Sequence, residues 1–201
     1  MIRVLLAEDQ ATVREALAAL LSLEEDIEVV AQVSRGDDVV AAALVARPDV
    51  ALLDIEMPGQ DGLAAAAALA GAVPACRTLI LTTFGRPGYL RRAMDAGVRG
   101  FLVKDAPAAE LARSIRWAMA GERVVDPGLA IAALAEGTSP LTPRERDVIL
   151  ASRDQPTVAA IADALHLSSG TVRNHLSAVM TKLGAHNRAE ALRMAEDRGW
   201  L

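Results

Sequence analysis

One cysteine and five aromatic residues among 201 positions set the first limits on this chain. A single thiol, Cys76, forms no internal disulfide and has no second cysteine with which to hold a metal. That excludes disulfide scaffolds and cysteine-built zinc sites and suits a reducing cytosol. With so few rings, the core is built from Ala, Leu and Val on regular elements, and a hydrophobic fraction of 52% excludes a disordered chain. No apolar run approaches the roughly 18 residues of a membrane span, and the first, Ile2 to Ala7, stops at Glu8, too early for a signal-peptide core. The expectation is a soluble, cytoplasmic protein without a membrane partner.

Basic charge is scarce overall, at a net −5, but unevenly so. Residues 1–139 hold 13 basic and 19 acidic side chains, net −6, whereas residues 140–201 hold 8 and 7, net +1. Between Asp163 and Glu190 there is no acid at all, while Arg173, Lys182, Arg188 and all three histidines fall there. This is the only long cationic-leaning stretch, and it points to an anionic partner for the second part alone.

The first part alternates short β-rich apolar runs with Ala/Leu-rich helical patterns. Candidate strands are Ile2 to Ala7, Ile27 to Val33, Val50 to Asp54, Thr78 to Thr82 and Gly100 to Val103. Five βα units predict an α/β fold, a five-stranded parallel sheet with helices on both faces. Asp61 is expected to cap the Ala64 to Ala70 helix and Gly71 to stop it. Gly121, Pro127, Gly128, Gly137 and Pro140 mark a boundary, interrupted by a short helix around Leu129 to Ala135. The domains read as residues 1–120, a linker over 121–139, and a small all-α domain over 140–201, with Pro143 in a first turn after Thr142 and caps at Thr157 and Ser168 or Ser169.

Chemistry gathers at the strand ends. Glu8 and Asp9 follow the first strand, Asp54 closes the third, Thr82 the fourth, and Lys104 follows the fifth. A strand-ending Asp alone is more often a cap, and a lone Lys is usually just solvated. Five such residues at one edge of one sheet are better read as a site. Two carboxylates about 4 Å apart repel by roughly 1 to 4 kcal/mol between water-like and near-surface dielectrics, so the trio calls for a cation, a raised pKa, or both. All-oxygen ligands with room for water make Mg²⁺ the default, held by Asp9 and Asp54 with Glu8 in support. Phosphoryl transfer to Asp54 is the matching reaction, with Lys104 and Thr82 meeting the phosphoryl oxygens.

The set Glu8-Asp9, Asp54, Thr82, Phe101 and Lys104, with D-I-E-M-P-G-Q-D-G from Asp54 to Gly62, resembles the receiver domain of two-component response regulators. The resemblance implies a flavodoxin-like (βα)5 fold and an Asp54 that accepts phosphate from a sensor histidine kinase. It gives the backbone carbonyl of Glu56 as a further Mg²⁺ ligand and Thr82 with Phe101 as a switch pair whose ring turns inward. From the residues alone, Phe101 reads equally well as an ordinary core aromatic.

In the second part, residues 157–165, a turn, and a helix from about Ser169 to Leu183 read as helix, turn, helix. Val172, Leu176, Val179, Met180 and Leu183 form the buried stripe. The opposite face carries Thr171, Arg173, Asn174, Ser177, Thr181 and Lys182, with none of the acids that solvated faces usually mix in. L-T-P-R-E-R at 141–146, G-T-V-R-N-H at 170–175 and K-L-G at 182–184 resemble the LuxR/NarL-type helix-turn-helix. By that resemblance Arg173, Asn174 and Ser177 face base edges of double-stranded DNA, while Ser169, Thr171, Lys182 and Arg188 lie near phosphates. Ala160 departs from the pattern: Thr157 lacks the Glu of a capping box, a loss of about 1 kcal/mol.

The two resemblances together imply a transcription regulator that forms a homodimer when phosphorylated. T-T-F-G-R-P-G-Y at 82–89 and R-G-W at 198–200 are similar to DesR-type regulators, which suggests lipid-desaturation or membrane-stress genes as targets. Two alternatives stand beside this reading. One is a Mg²⁺-dependent phosphatase with Asp54 as nucleophile and Glu56 as acid; the other is a phosphate-independent DNA-binding protein with a relic receiver.

Overall fold

The computed structural model describes residues 1–82, 87–104, 107–135 and 139–201. Gly137 and residues 83–86 of the 82–89 stretch fall outside them. Two compact units result, the main break falling inside the helix over residues 127–135, between Ile131 and Ala132.

In the first unit, β1 (Ile2–Ala7), β2 (Ile27–Val33), β3 (Val50–Asp54), β4 (Arg77–Thr82), β5 (Gly100–Val103) and β6 (Val124–Val125) alternate with α1 (Ala11–Leu21), α2 (Val39–Ala46), α3 (Gly62–Ala72), α4 (Pro87–Asp95) and α5 (Ala108–Met119), and α6 (Pro127–Ala135) follows β6. The strands pair in the order β2-β1-β3-β4-β5-β6, all parallel. Every residue of β3 is buried, as a strand covered on both faces requires. Val4, Leu6, Leu52, Leu79, Leu81 and Leu102 meet Leu17 and Leu21 of α1 and Leu111 and Ile115 of α5 in one core. The alternate residues Leu5, Ala51, Leu53, Ile80 and Phe101 are fully buried too, and α2 and α3 pack together over their face of the sheet. Cys76 is a buried core thiol whose pKa burial pushes up to about 12, so it stays protonated and inert.

The sheet has six strands where the sequence pattern predicts five. Two residues are too few to carry a periodicity, and β6 exists because the edge of β5 is open. Val124 N–H donates to Arg99 O at 2.9 Å and Asp126 N–H to Phe101 O at 3.3 Å. The Asp126 carboxylate then accepts from Leu129 N–H at 3.0 Å, near the start of α6. Gly71 likewise does not stop α3; the helix runs to Ala72 and closes through Val73 N–H on Leu69 O. Asp61 does cap it, accepting from Ala64 N–H at 2.7 Å.

The second unit comprises α7 (Pro143–Ala151), α8 (Val158–Leu165), α9 (Ser169–Leu183) and α10 (Arg188–Asp197). Val148, Ile149, Ile161, Val172, Leu176, Val179, Leu183 and Trp200 form its core, with α9 packed against the other three helices. Thr142 and Glu145 make a reciprocal capping box on α7. Thr157 supplies only half of one, accepting from Ala160 N–H at 3.1 Å. Between α8 and α9 the chain turns on His166, in the left-handed region at φ 52°.

Candidate functional site

The strand order places a topological switch point between β1 and β3, because the chain leaves β1 toward β2 on one side and returns to β3 on the other. Glu8 and Asp9 at the end of β1 and Asp54 at the end of β3 meet there, their carboxylate oxygens within 4.8 Å of one another. Glu8 and Asp54 are buried and Asp9 is exposed. Lys104, just beyond β5, reaches across the sheet edge. Its Nζ lies 2.5 Å from Glu8 Oε2 and 3.0 Å from Asp54 Oδ2, with only 8% of the side chain exposed. Glu8 Oε2 makes no well-directed hydrogen bond, so its link to Lys104 is an ion pair rather than a directed bond. The Asp9 carboxylate has no partner among the described residues.

Burial raises the pKa of Asp54, opposed by Lys104 and by the backbone N–H groups of Glu56 and Ile55. Burial also raises that of Glu8, where Lys104 opposes it and the charge of Asp54 adds to it. For Lys104, burial works toward a lower pKa, but the two carboxylates outweigh it and the net shift is upward. One ammonium thus offsets two buried carboxylates, leaving a third beside them. The donor set fits a small divalent cation: three converging carboxylates, all oxygen, one of them open to water. Glu56 stands in the bend after β3 with its side chain exposed. Thr82 is buried at the end of β4, and its carbonyl accepts from Lys104 N–H at 2.8 Å. Phe101 is fully buried on β5, beside Ile80 in register, so its ring already points inward.

The loop after Asp54 is held by close backbone approaches. A Cβ on Gly62 would sit 1.9 Å from Asp54 O, and one on Gly36 1.8 Å from Gln60 O; Gly59 adopts φ +81°. Gly62→Ala is therefore expected to displace the Asp54 main chain and destabilise the first unit by about 1–3 kcal/mol. Urea unfolding measures it, and an unchanged midpoint would mean that the loop has room to move.

On α9, Arg173, Asn174 and Ser177 are exposed together, while Val172, Leu176, Val179 and Leu183 are buried and Met180 half-buried. Ser168 caps the helix, accepting from Thr171 N–H at 3.0 Å. Ser169 and Thr171 are half-buried in the first turn. Two expected phosphate contacts are committed within the fold. Lys182 Nζ donates to Glu145 Oε2 at 2.6 Å, and Arg188 donates to the carbonyls of Gln155 and Pro156 at 3.4 and 3.2 Å. Glu145 also accepts from Thr142 N–H at 2.7 Å; burial works to raise its pKa, and these partners lower it overall. Sequence reasoning missed the Glu145–Lys182 pair, 37 residues apart, and the contacts of Arg14 on the acidic loop, because neither has a local signature.

Comparison with known proteins agrees with this geometry. Residues 4–116 match the response regulator receiver domain and residues 139–195 the luxR family of bacterial regulatory proteins. The transcriptional regulatory protein DesR of Bacillus subtilis (strain 168) is 44% identical over 200 residues, spanning 100% of this chain and 99% of its own. Response regulator RamR of Streptomyces coelicolor is 38% identical, spanning 100% and 98%. Among solved structures, the response regulator ChrA of a heme-sensing two-component system is 32% identical, with a TM-score of 0.60 over 100% of this chain and 98% of that one. Among the described residues no helix is long and apolar enough to cross a membrane. A receiver domain followed by a luxR-family DNA-binding domain, in one chain matched end to end by such regulators, makes this protein a member of the LuxR-type two-component response regulators, which regulate transcription in response to phosphorylation.

Proposed function

We propose that Asp54 is the phosphoacceptor of this regulator, that Glu8, Asp9 and Asp54 with the Glu56 carbonyl hold Mg²⁺, and that the exposed face of α9 reads DNA. The observation that carries the first part is the Lys104 ammonium set between Glu8 and Asp54 beside the exposed carboxylate of Asp9. Asp54 attacks phosphorus through a carboxylate oxygen; the new O–P bond forms as the P–N bond to the kinase's phosphohistidine breaks. Bound Mg²⁺ supplies positive charge that screens the carboxylates and the incoming phosphoryl oxygens. Lys104 exchanges Asp54 for the new phosphoryl group, and the Thr82 hydroxyl donates to it. Because Phe101 is already buried, we assign the switch step to Thr82 closing onto the phosphoryl group over a ring that is in place.

Phosphorylation adds about −1.5 to −2 charges at Asp54 and biases the receiver toward a homodimer. Two linked DNA-binding domains then engage two half-sites, which makes binding bivalent. The test is full-length protein treated with a small-molecule phosphodonor and Mg²⁺. One phosphoryl group per chain, mapped to Asp54, with dimerisation and tighter promoter binding, is the expected result. Continuous turnover of a phosphate ester would instead favour a phosphatase. An oligomeric state and DNA affinity that ignore beryllofluoride would favour phosphate-independent binding.

Arg173→Ala is expected to weaken operator binding by about 1–3 kcal/mol and to shrink the difference between operator and scrambled DNA. Titration of both duplexes at fixed salt measures this, and equal losses on the two would assign Arg173 to phosphate rather than base contact.

A further inference from the structure

The loop that carries Asp9 is braced by a side chain the phosphotransfer chemistry does not use. Arg14, half-buried one turn into α1, donates from Nη1 to Glu8 O at 2.6 Å and, at longer range, to Asp9 O at 3.5 Å. The other restraints on this loop act on its flanks: Glu8 N–H donates to Val33 O at 3.1 Å and Gln10 N–H to Glu8 Oε1 at 3.2 Å. Helix α1 begins without a side-chain cap and without an acid in its first turn; its first main-chain bond, Arg14 N–H to Gln10 O at 2.9 Å, holds the residue after Asp9 and leaves the Glu8 and Asp9 carbonyls to the guanidinium. The Asp9 carboxylate itself has no partner among the described residues.

We propose that Arg14 is a positioning residue for the cation site: its guanidinium holds the Glu8 and Asp9 carbonyls so that the Asp9 carboxylate stands within coordination range of Glu8 and Asp54 before the cation arrives. This rests on the reading that these three carboxylates hold a divalent cation. Holding the main chain removes the backbone share of the Asp9 ligand's freedom and leaves only its χ1 and χ2 rotamers to be selected when the cation binds, and the guanidinium, planar and permanently charged, offers several N–H donors from a single fixed plane. Groups that orient metal ligands typically contribute 10- to 100-fold to affinity when intact.

The experiment is calorimetric titration of Mg²⁺ into full-length wild type, Arg14→Gln and Arg14→Lys, with phosphodonor labelling at limiting and saturating Mg²⁺ and cation-free melting curves. Arg14→Gln is expected to raise the Mg²⁺ dissociation constant about 10-fold. Its labelling rate returns close to wild type at saturating Mg²⁺, and Arg14→Lys, able to reach one carbonyl, falls between the two. A dissociation constant for Arg14→Gln equal to that of a Mg²⁺-binding wild type overturns this inference alone. So does a loss that tracks the fall in melting temperature and that Lys does not rescue. A wild type that binds no Mg²⁺ overturns the cation reading and this inference with it.

Discussion

Asp54→Asn is expected to abolish phosphoryl uptake and, in cation-free buffer at neutral pH, to raise the melting temperature of the receiver. The first effect follows from chemistry, since the amide is no nucleophile for phosphorus. The second follows from burial. The pKa of Asp54 is raised above its ordinary value of 3.8, chiefly by burial, so the folded receiver binds that proton more tightly than the unfolded chain. The stability tied to the proton is fully present below the unfolded value and is lost as pH rises through the folded one. At neutral pH the carboxylate is ionised at a cost that the amide avoids, and Lys104 is left to pair with Glu8 alone. Intact-mass analysis after phosphodonor treatment and calorimetric melting in chelator test the two halves. Residual labelling at the wild-type level would remove Asp54 from its assigned role, and a lower melting temperature would mean that Lys104 stabilises the charge more than burial opposes it.

Trp200→Ala is expected to cost the DNA-binding unit about 3–5 kcal/mol, the range for deleting a large buried aromatic. A domain of this size holds roughly 3–9 kcal/mol in total at typical per-residue stability, so the loss is enough to unfold much of the population at growth temperature. Trp200 is 6% exposed and packs into the core around α9, and its backbone N–H donates to Ala195 O at 2.8 Å across the turn at Gly199. Arg198 covers the ring face at 4.9 Å from its centroid. The indole Nε1 is buried without a hydrogen-bond partner among the described residues, so the ring contributes chiefly through its volume. Trp200→Phe should therefore retain most of the stability that Trp200→Ala loses. Helicity melts of residues 139–201 measure both variants alongside promoter binding by the full chain. Equal losses for Phe and Ala would mean that the indole makes a polar contact after all.

How much of this was legible from the chain alone differs by element. The five longer strands and the first three helices of the second unit follow from periodicity, Pro143 and the Thr and Ser caps, because these signals act within a few residues; α10 starts on Asn187, a cap the sequence reading did not single out. Asp54, Glu8, Asp9, Thr82 and Lys104 were legible as strand-end residues, since a parallel sheet brings every carboxyl end to one edge. Strand β6 was not, being two residues paired by an open neighbour rather than by its own pattern. Gly71 misled because glycine ends helices often, and here α3 runs one residue past it and closes through the Val73 N–H. Lys182 and Arg188 were expected near phosphates, and their bonds within the fold had no sign in the sequence. Glu145 and the carbonyls of Gln155 and Pro156 take them up, from positions more than 30 residues away in sequence.

The sequence by itself determined the order of elements, the division of charge between the two halves and the identity of the residues at the sheet edge, because local patterning and composition carry those directly. Only the tertiary structure decided how the charges are shared. Lys104 is divided between Glu8 and Asp54, Asp9 is left open, and Arg14 is spent on main-chain carbonyls rather than on carboxylates. The physical reason is range: a strand or a cap is chosen by neighbours in the chain, whereas an ion pair across a sheet edge is chosen by whichever groups folding has brought within about 4 Å.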